Sequence, residues 1–212
     1  MSHNVIMIES TNPDFPVALR NGPWATSCQR IWSIGNLDLL KTRLLGFLCS
    51  TKCPGNVIVQ TYDLARTLRD TGVPVIGGFH APMERECLDL LLRGQQPVVI
   101  CPARGIEHMR IPGNWRTPLD ENRLLVCSPF ASHHQRPTTD IAEQRNRLVA
   151  ALAHAVVIAH ASPGSKIARL SAEMVASGKR VYTFDLPENG ELILHGVKGY
   201  AVPDLVDCLL HH

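Results

Sequence analysis

Gln144-Arg145-Asn146-Arg147-Leu148-Val149-Ala150-Ala151-Leu152 lies near the start of the stretch Ile141 to Val175, and the reading of that stretch decides the fold. A polar, basic start runs into an apolar helix. The short β-branched strand Ala155 to Ala159 follows, and a turn at Pro163, Gly164 and Ser165 opens a further helix. This is one helix-strand-helix unit with charge at its rims. A helix start carrying Arg145, Asn146 and Arg147, close to a strand exit that turns through Gly164 and Ser165 into a new helix N-terminus, suits an anion, because free backbone N–H groups and the positive end of the helix dipole point there. A solvated helix end is the alternative. Two arginines at positions i and i+2 cannot face one ligand from a regular helix, being about 200° apart. One is therefore expected to face a crevice while the other pairs along a neighbouring helix.

Working outward, continuous apolar runs alternate with helical patterns. Strands are expected at Leu44 to Leu48, Val73 to Ile76, Pro97 to Cys101, Leu124 to Cys127 and Arg180 to Phe184, with a short one at Tyr200 to Val202. Helices are expected at Asn56 to Asp70, Pro82 to Arg93, Thr139 to Ala153 and Ser165 to Ser177, with a last one from Pro203. Short β-branched runs between amphipathic helices indicate a parallel sheet covered on both faces, an α/β three-layer sandwich of extended Rossmann type. Before this series, the Pro- and Gly-containing residues 1–36 read as an N-terminal arm or cover on a single domain spanning 1–212, with a short strand at Ile31 to Ile34.

Composition sets bounds on function. The chain has 212 residues, 45% hydrophobic and 19% charged, with a formal net charge of +2. So small a charge gives no global pull on nucleic acid, and any such contact must come from a local basic cluster. Apolar runs stop short of the roughly 18 residues a membrane span needs. Met1 to Ser10 lack a basic start and a long apolar stretch, and the seven cysteines form no Cys-x-x-Cys pair. Free thiols in a reducing cytoplasm are expected, without a metal.

In an open parallel sheet, ligands sit beyond the carboxyl ends of the strands. The residues following each expected strand are Ser50, Thr51 and Lys52; Gly77, Gly78, Phe79 and His80; Arg104; and Gly164, Ser165 and Lys166. With Arg145, Asn146 and Arg147 they make the candidate phosphate-binding set. Paired glycines admit close backbone approach, hydroxyls and lysines reach phosphate oxygens, and Phe79 is a candidate for base stacking, with a core role as its alternative. Ser50, Gly77, Gly78, Arg145 and Ser165 are expected around one crevice. No Gly-x-Gly-x-x-Gly fingerprint or Walker lysine motif is present, so a standard dinucleotide or nucleoside triphosphate site is not expected. The polar loop Ser132 to Pro137 is read as either a lid or a solvated connection, and Trp24, Trp32 and Trp115 are too dispersed for a stacking platform.

Ile34-Gly35-Asn36-Leu37 with Leu39-Leu40, then Leu45 to Ser50, Gly77-Gly78, Arg145-Asn146-Arg147 with the apolar run after it, and Gly164-Ser165 stand in the order and spacing of a known family. Over about Phe15 to Leu194 the chain resembles the DNA-processing protein A family (DprA, also called Smf). The resemblance implies a Rossmann-like core that binds single-stranded DNA in a basic pocket at the sheet edge, works as a dimer and helps load a RecA-type recombinase. It departs at Cys49-Ser50-Thr51, where the family usually carries Gly-Ser-Arg, leaving Lys52 as the nearby cation. The wider superfamily suggests an alternative, a nucleotide-binding sensor or a nucleoside-monophosphate glycosidase. Pro163-Gly164-Ser165-Lys166 only faintly matches the glycosidase signature and lacks its glutamate, so a binding protein is the reading, with no catalytic residue and no cofactor assigned.

Overall fold

The computed structural model describes residues 4–21, 28–132 and 138–211. Along the chain run β1 (Ile6–Glu9), α1 (Val17–Asn21), β2 (Arg30–Gly35), a 3-10 turn at Leu37–Lys41, β3 (Leu45–Cys49), α2 (Gly55–Thr71), β4 (Val75–Gly77), α3 (Pro82–Leu91) and β5 (Val98–Ile100). Then come α4 (Gly113–Asp120), β6 (Leu124–Ser128), α5 (Thr139–Leu152), β7 (Ala155–His160), α6 (Lys166–Ala176), β8 (Arg180–Phe184), a 3-10 turn at Pro187–Asn189, α7 (Gly190–Leu194), β9 (Lys198–Tyr200) and α8 (Val202–His211).

The strands form one sheet in the order β1-β2-β6-β5-β4-β3-β7-β8-β9. From β6 to β9 every neighbouring pair is parallel, while β1 and β2 join as antiparallel strands at one edge. Residues 1–36, expected as an arm or cover, therefore give two strands to the sheet itself. Their weak signal has a physical cause: β1 buries only Ile8, so an edge strand half in water needs little apolar pattern. Beside it, Phe15 and Leu19 are buried under one face.

The central strands read as continuous apolar runs because helices cover both faces. Residues of β3, β6 and β7 are buried throughout. One face packs against Val57, Leu64 and Leu68 of α2, Cys87 and Leu91 of α3, Leu119 of α4 and Leu205 of α8. The other packs against Leu19 of α1, Leu148 and Val149 of α5, Leu170 and Met174 of α6 and Leu192 of α7. Each such Leu or Val contributes about 1.5–3 kcal/mol by leaving water.

Helix α5 shows how local sequence sets the frame. Thr138 caps it, its side chain accepting from the Ile141 N–H, and Asp140 in the first turn favours the positive dipole end. Ser165 caps α6 in the same way through the Ala168 N–H. Both helix starts therefore arrive at the carboxyl side of the sheet.

Candidate functional site

Connections from β3 run one way through β4, β5 and β6, whereas β7, β8 and β9 extend the sheet on the other side of β3. The strand order thus reverses between β3 and β7, which is where an open sheet leaves a crevice at its carboxyl edge. A cavity of about 330 Å³ lies there, bordered by Ser50, Thr51 and Lys52 after β3, His80 after β4, Arg145 and Asn146 of α5, and Ser162, Ser165 and Lys166 around the start of α6. Eight of the sequence-derived candidates meet in it: Ser50, Thr51, Lys52, His80, Arg145, Asn146, Ser165 and Lys166.

Arg145 is the central cation. It is only 4% exposed, yet it lines the cavity, and its Nη1 donates to the Cys101 carbonyl at 3.4 Å. Its Nε has no hydrogen-bond partner, nor does the Asn146 Oδ1 beside it. An unsatisfied buried polar atom costs about 1–3 kcal/mol, so the surroundings of these two side chains hold them in place at some expense. The guanidinium lies flat against Gly78: a Cβ there would fall 1.0 Å from Nη1. Gly78, expected at the crevice, does not itself border the cavity; its missing side chain leaves the room that the guanidinium fills.

Glu84 was not among the sequence-derived candidates, although Pro82 followed by Glu at the third helical position is a helix-start pattern. It is 3% exposed and borders the cavity. Its carboxylate accepts from the Cys49 N–H at 3.0 Å, the His80 N–H at 2.9 Å and the Ala81 N–H at 3.3 Å, tying the exits of β3 and β4 together. On the other wall, Ser50 Oγ accepts from the Ser162 N–H at 3.1 Å, joining the exits of β3 and β7. Burial holds the His80 imidazole below its ordinary pKa, and the Arg145 and Arg85 charges push the same way. Lys166 sits 2.7 Å from Glu143 and 3.4 Å from Asp140, and the Glu143 bond raises its pKa.

The remaining candidates lie elsewhere. Arg147 forms a two-pronged pair with Glu173 of α6, at 2.5 and 3.0 Å, with Glu143 at 3.7 Å. Phe79 is 6% exposed with φ 48°, and its ring packs back over Gly77 into the core, so it offers no stacking face. Gly77 itself is buried within β4 and absent from the cavity wall. Gly164 borders a second hollow of about 150 Å³ between α6 and α7, with Arg169, Glu191 and His195. Arg104 borders a third, of about 240 Å³, with His108 and Ser132 beyond β5 and β6. Residues 133–137 of the polar loop, and Trp24, fall outside the described residues.

The geometry can be set beside known proteins. The sequence profile described as DNA recombination-mediator protein A matches residues 6–190. The chain belongs to this family. Among solved structures it is similar to DNA processing protein A (DprA) from Streptococcus pneumoniae, with TM-score 0.77 and 17% identity over 95% of this chain and 73% of that one. It is also similar to DNA processing protein A from Helicobacter pylori, described for its single-stranded DNA binding mode, with TM-score 0.75 and 18% identity over 98% and 96%. The molybdenum cofactor carrier protein of Chlamydomonas rheinhardtii is more distant, with TM-score 0.52 and 14% identity over 81% and 99%. A comparison with curated proteins finds no match.

On the recombination-mediator fold, the crevice presents a buried guanidinium, an amide side chain, three serine hydroxyls, a threonine hydroxyl, an exposed imidazole and two lysines. Such a set donates hydrogen bonds to an oxyanion from several directions. Among the described residues, no group of three or more His, Cys, Asp or Glu is placed to hold a metal ion, and no helix is long and apolar enough to cross a membrane.

Proposed function

We propose that this protein binds single-stranded DNA by taking a backbone phosphate into the crevice between the exits of β3, β4 and β7, in the service of DNA processing. The observation that carries the reading is Arg145: a nearly fully buried cation, seated on Gly78, that still borders the cavity. A buried cation keeps that arrangement at a cost, and a phosphate oxygen offsets it through a charge-assisted hydrogen bond. Ser50, Ser165 and Asn146 supply further contacts, while Thr51, Lys52 and Lys166 line the mouth. Family membership supports DNA as the source of the phosphate. Acting as a homodimer that passes the strand to a RecA-type recombinase in the cytoplasm extends the same reading, tested by sedimentation and by co-purification with the recombinase.

The second reading, a sensor of a free nucleotide at the same site, rests on the crevice being a recess about the size of one small ligand. Fluorescence anisotropy with labelled oligo-dT, and competition by a mononucleotide, separate the two. A strand crossing several cations releases counterions, so its affinity falls steeply with salt, with a slope of about −0.7 per phosphate neutralised. The DNA reading expects that slope, with weak competition by a mononucleotide. Tight, salt-insensitive mononucleotide binding without oligo-dT binding would overturn it.

A further inference from the structure

A carboxylate already sits where the crevice would best hold an anion. Glu84, in the first turn of α3 and 3% exposed, gives both oxygens to backbone donors: Oε1 accepts from the Cys49 N–H at 3.0 Å, and Oε2 from the His80 N–H at 2.9 Å and the Ala81 N–H at 3.3 Å. Convergent N–H groups at strand exits and at a helix N-terminus are the ordinary nest for a phosphate. Here the chain's own negative charge fills it, in the lining of the cavity that Arg145 also borders. The remaining cations add little inside: Lys166 pairs with Glu143 and Asp140, and Lys52 is exposed. The buried part of the crevice therefore holds one guanidinium and one carboxylate, and carries no net charge.

We propose that Glu84 sets the charge of the ligand: the crevice selects a phosphate bearing one negative charge, the internal phosphodiester of a strand, and rejects the doubly charged phosphomonoester of a free nucleotide or a strand end. This rests on the phosphate reading of the crevice and names which phosphate it takes. A diester keeps a single charge throughout the neutral range, whereas a monoester loses its second proton near pH 6. Arg145 matches one charge. A second charge meets the Glu84 carboxylate with the backbone donors already used, and the cost of taking an ion out of water rises with the square of its charge. At pH 7.5 only about one monoester in thirty carries the single charge, so rejecting the dianion lowers monoester affinity by at most that factor.

Calorimetric titration of the full chain with thymidine 5′-monophosphate and with its phosphate methyl ester, at pH 7.5 and pH 5.5, reads the selection directly. The methyl ester should bind about tenfold more tightly at pH 7.5, and the two should come within about twofold at pH 5.5, where both carry mainly one charge. His80 borders the same cavity and its protonation changes both affinities, so the ratio between the esters is the quantity to follow. Glu84→Gln keeps an oxygen for the Cys49 N–H and removes the charge, and the ratio at pH 7.5 should fall to about two or less. A merely structural Glu84 would weaken both esters together and leave the ratio as it was, which overturns the proposal. Equal binding of the two esters by the unmodified chain at pH 7.5 also overturns it, and needs no variant to fold. If the preference appears but labelled oligo-dT is not bound, the DNA reading fails and the charge selection stands; if neither ester binds, both fail.

Discussion

The two edges of the sheet use arginine in opposite ways. At the carboxyl edge, Arg145 borders a cavity of about 330 Å³ and donates to the Cys101 carbonyl. Toward the amino edge, Arg43 and Arg180 converge on the Nε2 of His154, the first at 2.8 Å, around a hollow of only about 40 Å³. There the imidazole accepts what a ligand would otherwise accept. Burial, then the Arg180, Arg43 and Lys179 charges, hold His154 below its ordinary pKa, so it stays neutral at pH 7. Cationic residues alone therefore do not define a binding edge; the space beside them does.

The sharpest way to break this comparison is Arg145→Ala. Losing a buried, charge-assisted contact should cost about 1.5–3 kcal/mol of oligonucleotide affinity, roughly 10- to 150-fold, read by anisotropy. Unchanged affinity would leave the crevice without its anion role. Gly78→Ala tests the same cation from the other side, since its methyl group must displace the guanidinium: about tenfold weaker binding is expected, approaching the Arg145→Ala value, and the double variant should be no worse than the worse single one. Arg147→Ala should leave affinity alone and lower stability by about 0.2–1 kcal/mol, because its pair with Glu173 is partly exposed. A comparable loss of affinity would show that both arginines serve the ligand.

The smallest effect concerns pH. His80 and His154 both have folded-state pKa values lowered from the ordinary 6.5, so the unfolded chain binds more protons as pH drops below about 6.5. Stability should therefore fall as pH falls through that window. Oligonucleotide binding should move the other way, because a phosphate beside His80 favours its protonated form. Thermal midpoints and affinities at pH 7.5 and 6.0 check both signs. His154→Gln should flatten part of the stability loss without touching the affinity trend, and an altered affinity trend would mean that the two edges communicate.

How much of this was legible in the chain depends on what each residue's position required. The division of labour between Arg145 and Arg147 follows from helical spacing, and the structure places them as that spacing demands. Element boundaries fall within a couple of residues of expectation, which caps and apolar runs permit. What sequence cannot supply is strand order. Arg104 follows β5, a true strand exit, yet β5 lies two strands from β3, about 10 Å along the edge. Helix α4 was missed because Pro118 sits inside it, and α7 because five residues make too short a pattern. Glu84 was hidden by its type: a carboxylate in a first turn reads as a solvated dipole partner until the backbone that folds over it is known.

Gly78, in the loop after β4, and Arg145, in α5, lie far apart in the chain, yet they share one volume. That shared space makes the two positions a single unit of inheritance. A relative that gains any side chain at 78 loses the room for a long one at 145, and a relative that shortens 145 frees 78 to drift. Residue 78 should accordingly vary only in lineages where 145 has already changed, and those lineages should have moved to a different ligand or abandoned the crevice.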